Sequence, residues 1–256
     1  MTAALRIVQR NALVYRRTWR GSVFFSFLQP AMFLAAMGLG LGRLVDRGGA
    51  ALPGSVPFLT FLAPGLLAAA CMQTAAFESS YPITGKMMWR RNYEAITATP
   101  IRVIDVVLGE VAWVAVRLVM VATAFTLVMA AFGITRSPLA WLAIPAAVIT
   151  GLAFSAPIIA YAALLKNGSN FNVLFRFVIT PLFLFSGVFF PVGRLPAALQ
   201  GLAWFTPLFH GVELVRGVVL GTVQPVAAMI HVAYLSAMLI AGIVVGVRTF
   251  TRKLRT

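Results

Sequence analysis

The sequence is poor in the residues that soluble enzymes use for chemistry. It has one cysteine, two histidines and only six Asp and Glu residues among 256. Cys71 has no second cysteine to pair with, which excludes an intrachain disulfide and a thiolate metal site. The histidines, His210 and His231, lie far apart in sequence, and no Ser/His/Asp set accompanies them. We therefore predict no catalytic residue and no metal site in this chain.

Charge is scarce and of one sign. Charged residues make up 11% of the chain and hydrophobic residues 61%, with a mean hydropathy of +0.93. A soluble fold could not bury that much apolar surface. The net charge of +15 would indicate nucleic-acid binding in a soluble protein. Here the cations separate apolar runs, so we predict membrane insertion and no nucleic-acid partner.

Long apolar runs dominate the sequence. Six of them approach the roughly 20 residues that a helix needs to cross a bilayer. They lie at 23–41, 57–77, 103–132, 139–165, 173–190 and 226–247. We predict an all-α membrane protein with six transmembrane helices in one domain over residues 1–256. Its expected parts are an interfacial helix (1–21), two spans (22–78), a coupling loop (79–102), three spans (103–190), a hairpin (191–225), the last span (226–247) and a tail (248–256).

The N-terminal segment has an amphipathic pattern. Its apolar residues recur three or four positions apart, and arginines occupy the other faces. These residues are Leu5, Val8, Ala12, Tyr15 and Trp19. We predict a helix along the cytoplasmic membrane surface; the alternative is a basic flank that only aids insertion. The arginines interrupt any signal-peptide core, so we expect the chain to be mature as written.

The distribution of cations between the runs predicts the orientation. Fifteen Lys and Arg residues fall on the side that holds both termini, and five fall on the other. The positive-inside rule therefore predicts that both termini are cytoplasmic.

The loop after the second run has a helical pattern of its own. Trp89, Tyr93 and Ile96 share one face, and charged residues flank them. These charged residues are Arg90, Arg91 and Glu94. We predict a short helix that exposes aromatic side chains to a cytoplasmic partner; the alternative is a membrane-surface helix without a partner.

The third run contains two buried-charge candidates. Glu110 and Arg117 are seven residues apart, which is about 10 Å along a helix and too far for a direct pair. Ionisable residues inside a membrane point to function. We predict that each bonds another helix, with a role in a translocation path as the alternative.

The segment 191–225 is too polar to span a membrane. Its two apolar stretches, 195–205 and 208–219, are separated by Thr206 and Pro207, a helix-start signal. We predict a re-entrant or interfacial hairpin on the extracellular side. Its candidate functional residues are Trp204, His210, Glu213 and Arg216. Glu213 and Arg216 are three residues apart, so we predict that they pair on one helical face. A metal site at His210 and Glu213 would lack ligands.

Several motifs together carry a family resemblance. They are YEAITATP at 93–100, Gly109-Glu110 with Arg117, TPLFLFSGVFFP at 180–191, and WFTPL at 204–208 followed by His210 and Arg216-Gly217. With these motifs the chain resembles the ABC-2 type exporter permeases, in particular the branch of nodulation-factor and drug-resistance exporters.

The resemblance implies a permease of the bacterial inner membrane. It implies six spans, a coupling helix near residues 89–99 and a hairpin at 195–219. It also implies a second permease copy, identical or homologous, and two copies of a cytoplasmic ATP-binding cassette ATPase subunit. The fifth run supplies candidates for the path or the dimer interface, with lipid contact as the alternative: Phe175, Phe183, Phe185, Ser186, Gly187 and Phe189.

Energy must come from outside this chain. It contains no Gly-x-x-x-x-Gly-Lys-Ser/Thr loop, so ATP and Mg²⁺ are expected on the partner and no cofactor here. We predict export of an amphipathic substrate, namely a lipid-linked saccharide, a glycolipid or a hydrophobic drug. The alternatives are a carrier driven by an ion gradient, with Glu110 as its carboxylate, and a membrane enzyme acting on lipid.

Overall fold

The computed structural model describes residues 3–17, 19–47, 56–89, 92–97, 99–165 and 171–254. Every regular element within these ranges is helical. The main helices are α1 (Ala3–Tyr15), α2 (Trp19–Ala36), α3 (Phe58–Ser79), α4 (Asn92–Thr97), α5 (Val103–Ala131), α6 (Ala143–Leu164), α7 (Phe171–Phe185), α8 (Ala197–Trp204), α9 (Pro207–Leu220) and α10 (Pro225–Leu254).

Five helical stretches are long and apolar enough to cross a membrane. They are Trp19–Arg47, Phe58–Met88, Val103–Ala131, Ala140–Leu164 and Pro225–Leu254. The prediction of an all-helical membrane protein is confirmed at this level. The fifth predicted span corresponds to α7, which at about 22 Å is shorter than the roughly 30 Å hydrocarbon core. A sixth crossing therefore stays a prediction.

Helices α3 and α6 form the centre of the bundle. They pack against each other, and α5, α9 and α10 surround them. In the most apolar stretch of Phe58–Met88, 78% of the residues are buried inside the chain, but in that of Trp19–Arg47 only 12% are. Helix α2 thus lies at the periphery and contacts mainly α5. Its apolar surface is left for lipid or another chain, because little of this chain covers it.

The second span extends further than the sequence predicts. Residues beyond Phe77 are assigned to a loop in the sequence-based prediction, but the helical path continues to Met88. Ser80 bends it, and its N–H and hydroxyl both donate to the carbonyl of Phe77. The prediction is wrong because the polar residues there have partners on other helices: Glu78 bonds Arg117. Polar side chains that find such partners do not need water.

Helix α1 packs on α5 through a face that the sequence does not reveal. Its buried residues are Ile7 and Asn11, whereas Leu5 is 48% exposed. Gly109 of α5 permits this close contact, since a Cβ there would lie 2.8 Å from Cβ of Ile7. The predicted continuation of the helix to residue 21 is wrong, because α1 ends at Tyr15 and Trp19 begins α2.

The end of the bundle opposite α1 carries the predicted pair of short helices, α8 and α9. The Thr206 hydroxyl caps α9 by accepting from the N–H of Phe209 at 3.3 Å, and Pro207 is the first helical residue. The division at Thr206 is confirmed, whereas a re-entrant position in the membrane stays a prediction. Helix α10 continues to Leu254, so the tail predicted from residue 248 is helical as far as that residue.

Candidate functional site: a groove between two buried ion clusters

A groove of about 920 Å³ lies between α2, α3, α5 and α7. Its lining combines amide, hydroxyl and charged groups with phenylalanine rings. The polar lining residues are Ser22, Ser26, Gln29, Gln73, Thr74, Glu78, Arg117 and Thr180, and the aromatic ones are Phe33, Phe77, Phe125, Phe175 and Phe183.

The composition of the groove changes along its length. One end of the bundle, here called the basic end, brings α1, α4 and the C-terminal part of α10 together, with the rings of Tyr93 and Phe250 5.5 Å apart. Glu78 and Arg117 lie nearer this end, and Phe125 lies further from it along α5. The charged groups of the groove therefore lie toward the basic end, where Phe77 and Phe175 accompany them. Toward the other end the lining is apolar, with Phe33, Leu66, Phe125 and Phe183.

Arg117 and Glu78 form the ion pair of the groove. Nε of Arg117 donates to Oε1 of Glu78 at 2.9 Å, and Nη2 lies 3.4 Å from Oγ of Ser22. The guanidinium stacks over the ring of Tyr15 at 4.4 Å from its centroid, a cation–π arrangement. The pair joins α3 to α5, as the spacing from Glu110 predicts.

Glu110 is the centre of a buried cluster at the basic end. Its side chain is 1% exposed and its two oxygens accept from four groups. Lys86 donates at 2.6 Å, Asn11 and Tyr93 at 3.0 Å each, and Arg10 at 3.4 Å. A carboxylate this deeply buried requires such partners. The cluster fastens α1, α4 and the end of the second span to α5.

The burial of Tyr93 corrects the predicted coupling surface. Its side chain is 0% exposed, and burial raises its pKa well above the ordinary range, so the neutral phenol is the donor to Glu110. The expectation that Tyr93 is an exposed aromatic is wrong, because the hydrogen bond to Glu110 turns it inward. Glu94 is exposed and Ile96 is partly buried. The side chain of Trp89, as well as Arg90 and Arg91, lies outside the described residues.

Arg216 is the centre of the second cluster, at the opposite end. It donates to the carbonyls of Gly187 at 2.8 Å and Phe61 at 3.3 Å, and its Nη1 bonds Glu213 at 2.9 Å. Residues 186–190 after α7 are not helical, and Gly187 has φ of +80°, which favours glycine. The guanidinium supplies the hydrogen bond that this irregular backbone would otherwise lack. The predicted pair of Glu213 and Arg216 is confirmed.

The two histidines meet in space although they are distant in sequence. The Nδ1 atoms of His210 on α9 and His231 on α10 are 2.8 Å apart, and Nε2 of His210 lies 2.9 Å from the carbonyl of Trp204. Since that carbonyl only accepts, His210 carries its proton on Nε2 and accepts from His231 at Nδ1. Burial lowers the pKa of His210. Their separation in sequence gave no sign of this contact, which arises because α10 folds back along α9.

Comparison with known proteins decides the family. The family profile described as ABC-2 type transporter matches residues 2–220. The chain belongs to the ABC-2 type transporter family. Nodulation protein J of Rhizobium leguminosarum bv. viciae is 33% identical over 251 residues, 98% of this chain and 94% of that protein. Nodulation protein J of R. leguminosarum bv. trifolii is 34% identical over 85% of this chain and 81% of its own. Nodulation protein J of Rhizobium meliloti (strain 1021) is 32% identical over 85% of this chain and 81% of its own.

In this ABC-2 transporter chain the six candidate residues of the fifth apolar run lie in different surroundings. Phe175 and Phe183 line the groove, and Phe189 packs on Phe183 with 5.0 Å between ring centroids. Phe185 is 47% exposed. Ser186 is buried and bonds the hydroxyl of Thr206 at 3.1 Å. Two residues thus belong to the groove, and the others connect α7 to the hairpin or face outward.

Several residues of this ABC-2 chain were not identified from sequence. They are Arg10, Asn11, Glu78, Lys86 and His231, and each bonds a residue of a distant segment. Asn11 and Glu78 are polar residues in apolar surroundings, a signal that could have marked them. For Lys86 there is no such signal, because surface lysines are common beside spans.

Proposed function

We propose that the chain is the permease subunit of an ABC exporter that moves an amphipathic substrate out of the cytoplasm. A separate ATPase subunit supplies the energy. The observation that carries the proposal is the groove, whose charged pair lies toward the basic end and whose other end is apolar. A molecule with a polar headgroup and an apolar chain fits such a gradient, because each part meets groups of its own polarity.

The Glu110 cluster is the proposed transmission element. An ATPase subunit docks on the segment that ends in α4, including the exposed Glu94. Lys86 and Tyr93 of this segment both bond Glu110 of α5. A displacement of the segment therefore moves α5, which also carries Arg117 of the groove. Two ATPase copies would act on two permease copies.

The orientation follows from the cation distribution. We place the basic end and both termini in the cytoplasm of a bacterial cell, with the chain in the inner membrane. Six crossings are required for this arrangement. Helix α7 together with the irregular residues 186–190 would make the fifth, with Arg216 satisfying the Gly187 carbonyl.

A second permease copy would complete the groove. Helix α2 forms one wall of it and is largely uncovered, with Phe24 60% and Met32 63% exposed. Phe177 of α7 is 69% exposed on the neighbouring wall. Packing of these surfaces against an identical or homologous chain would enclose the substrate between the two copies.

The arrangement of Glu110 does not favour a carrier driven by an ion gradient. Such a carrier needs a carboxylate that exchanges a cation along the path. Glu110 does not line the groove, and its oxygens already accept from Lys86, Arg10 and two neutral donors.

The test is purification of the tagged chain from its native membrane in mild detergent. We expect a soluble subunit with a phosphate-binding loop to co-elute and to hydrolyse ATP. Reversal of the exposed carboxylate, Glu94→Arg, should weaken this association. Arg136→Glu, a charge reversal of an exposed side chain at the other end of the bundle, should not. Reproducible absence of an ATPase, or equal losses in both variants, would contradict the proposal.

A further inference from the structure

Arg117 has one donor atom that the fold leaves unused. Among the residues that the structure describes, its Nη1 atom is buried and has no hydrogen-bond partner. The side chain is 12% exposed and belongs to the wall of the groove. Arginine cannot lose its proton in a protein, so the two unused N–H groups of Nη1 remain part of a cation. A buried cationic donor without a partner is costly, which points to a missing acceptor.

The guanidinium is held in place by the rest of its surroundings. Its Nε atom donates to Glu78 at 2.9 Å, and its plane lies over the ring of Tyr15. Rotation to satisfy Nη1 would sacrifice the ion pair, which is the stronger interaction. The unused donor atom is therefore a fixed feature of a residue that lines the polar part of the groove.

We propose that Arg117 binds the oxyanion of an amphiphile whose apolar chain extends along the groove. The ligand class is a phosphate, sulfate or carboxylate headgroup on an acyl chain. The inference rests on the proposed function in taking the groove as the substrate's path. Guanidinium suits these anions because its N–H groups match their oxygens in spacing and charge.

The shape of the groove selects an amphiphile over a free anion. From Arg117 the lining continues to Phe125 and Phe183, and from Glu78 to Leu66 on α3. The distance from Glu78 to Leu66 along α3 is about 18 Å, enough for an acyl chain. The apolar part of the ligand contributes binding that inorganic phosphate cannot provide.

The test is lipid binding to the purified chain, measured by native mass spectrometry. The probes are phosphatidylglycerol, which is anionic, and phosphatidylcholine, which is zwitterionic, with inorganic phosphate as competitor. The variants are Arg117→Gln, Glu78→Gln, and the double variant that removes both charges and leaves neither partner unpaired. Arg136→Gln, which removes an arginine from a separate cavity at the other end, is the control.

We expect the wild type to prefer phosphatidylglycerol, and Arg117→Gln and the double variant to bind it about 10- to 100-fold more weakly. Glu78→Gln should bind it at least as well as the wild type, because the competing carboxylate is gone. Arg136→Gln should not differ. Wild-type binding by the double variant, or loss in Glu78→Gln equal to that in Arg117→Gln, would overturn the proposal. So would displacement of the lipid by an equal concentration of phosphate.

Addition of ATP with the partner ATPase distinguishes two sources of the headgroup. Release of bound phosphatidylglycerol during turnover assigns the site to a transported substrate, and retention assigns it to a resident phospholipid. Binding itself requires no ATP. A negative binding result therefore leaves the exporter proposal intact, and the lack of an ATPase partner leaves the binding result intact.

Discussion

The two ends of the bundle are held by clusters of opposite design. At the basic end a buried carboxylate, Glu110, is surrounded by side chains from three separate segments. At the other end a buried guanidinium, Arg216, donates to two backbone carbonyls and one carboxylate. Long side chains such as Lys86 and Arg10 can follow a moving segment, whereas carbonyl partners cannot rearrange without the backbone. We therefore expect motion at the basic end and rigidity at the other.

Removal of the guanidinium should have the largest effect. Arg216→Met leaves the Gly187 carbonyl without its donor inside the bundle, and we expect a loss of about 3–5 kcal/mol in stability. Thermal unfolding followed by size-exclusion chromatography in detergent measures it. Glu213→Gln is the control, since that side chain is 41% exposed and should cost much less. Equal unfolding temperatures for Arg216→Met and the wild type would show that the Arg216 cluster does not hold this end of the bundle.

Neutralisation of the central carboxylate should come next. Glu110→Gln leaves Lys86 and Arg10 without their counter-ion, and we expect a loss of about 2–3 kcal/mol. Faster hydrogen exchange should appear in residues 3–15 and 92–97 but not in 207–220. Uniform acceleration throughout the chain would show that the cluster is a general stabiliser and not a local fastening.

Loss of the phenolic donor should be milder. Tyr93→Phe removes one hydrogen bond to Glu110 and keeps the ring packing against Phe250, so we expect a loss of about 1–1.5 kcal/mol. The ATPase activity of the proposed complex should respond less to transported substrate. Tyr93→Ala, which also removes the ring, should be clearly worse in the same unfolding assay. If the two variants unfold alike, the hydrogen bond and not the packing carries the contact.

Acidification should have the smallest effect and should act at the rigid end. Because burial lowers the pKa of His210, the folded chain binds a proton less readily than the unfolded chain. Its contribution to stability is therefore complete above the ordinary pKa of 6.5 and is lost as the pH falls below that value. Unfolding temperatures at about pH 7.5 and about pH 5.5 should differ in the wild type and less in His210→Gln. A pH response that survives in this variant would point to other groups.

Local pattern was enough to predict the helical architecture. Apolar runs, the Thr206-Pro207 helix start and the pair of Glu213 and Arg216 need only neighbours in sequence. The structure confirms five of the six runs as long apolar helices, and it confirms the helix start and the pair. The end of the second span was not predictable in this way. Hydropathy treats Glu78 and Lys86 as loop residues, but each bonds a residue of α5.

The residues of the candidate site also fall into those that local sequence could predict and those that it could not. Glu110 and Arg117 could be selected from sequence because a charge inside an apolar run is costly wherever the run packs. The inward orientation of Tyr93, the meeting of His210 with His231 and the unused Nη1 of Arg117 depend on partners from other segments. Composition and periodicity therefore specify which segments form long apolar helices. Which polar group meets which follows from helix packing, because contacts between distant segments leave no periodic trace in the chain.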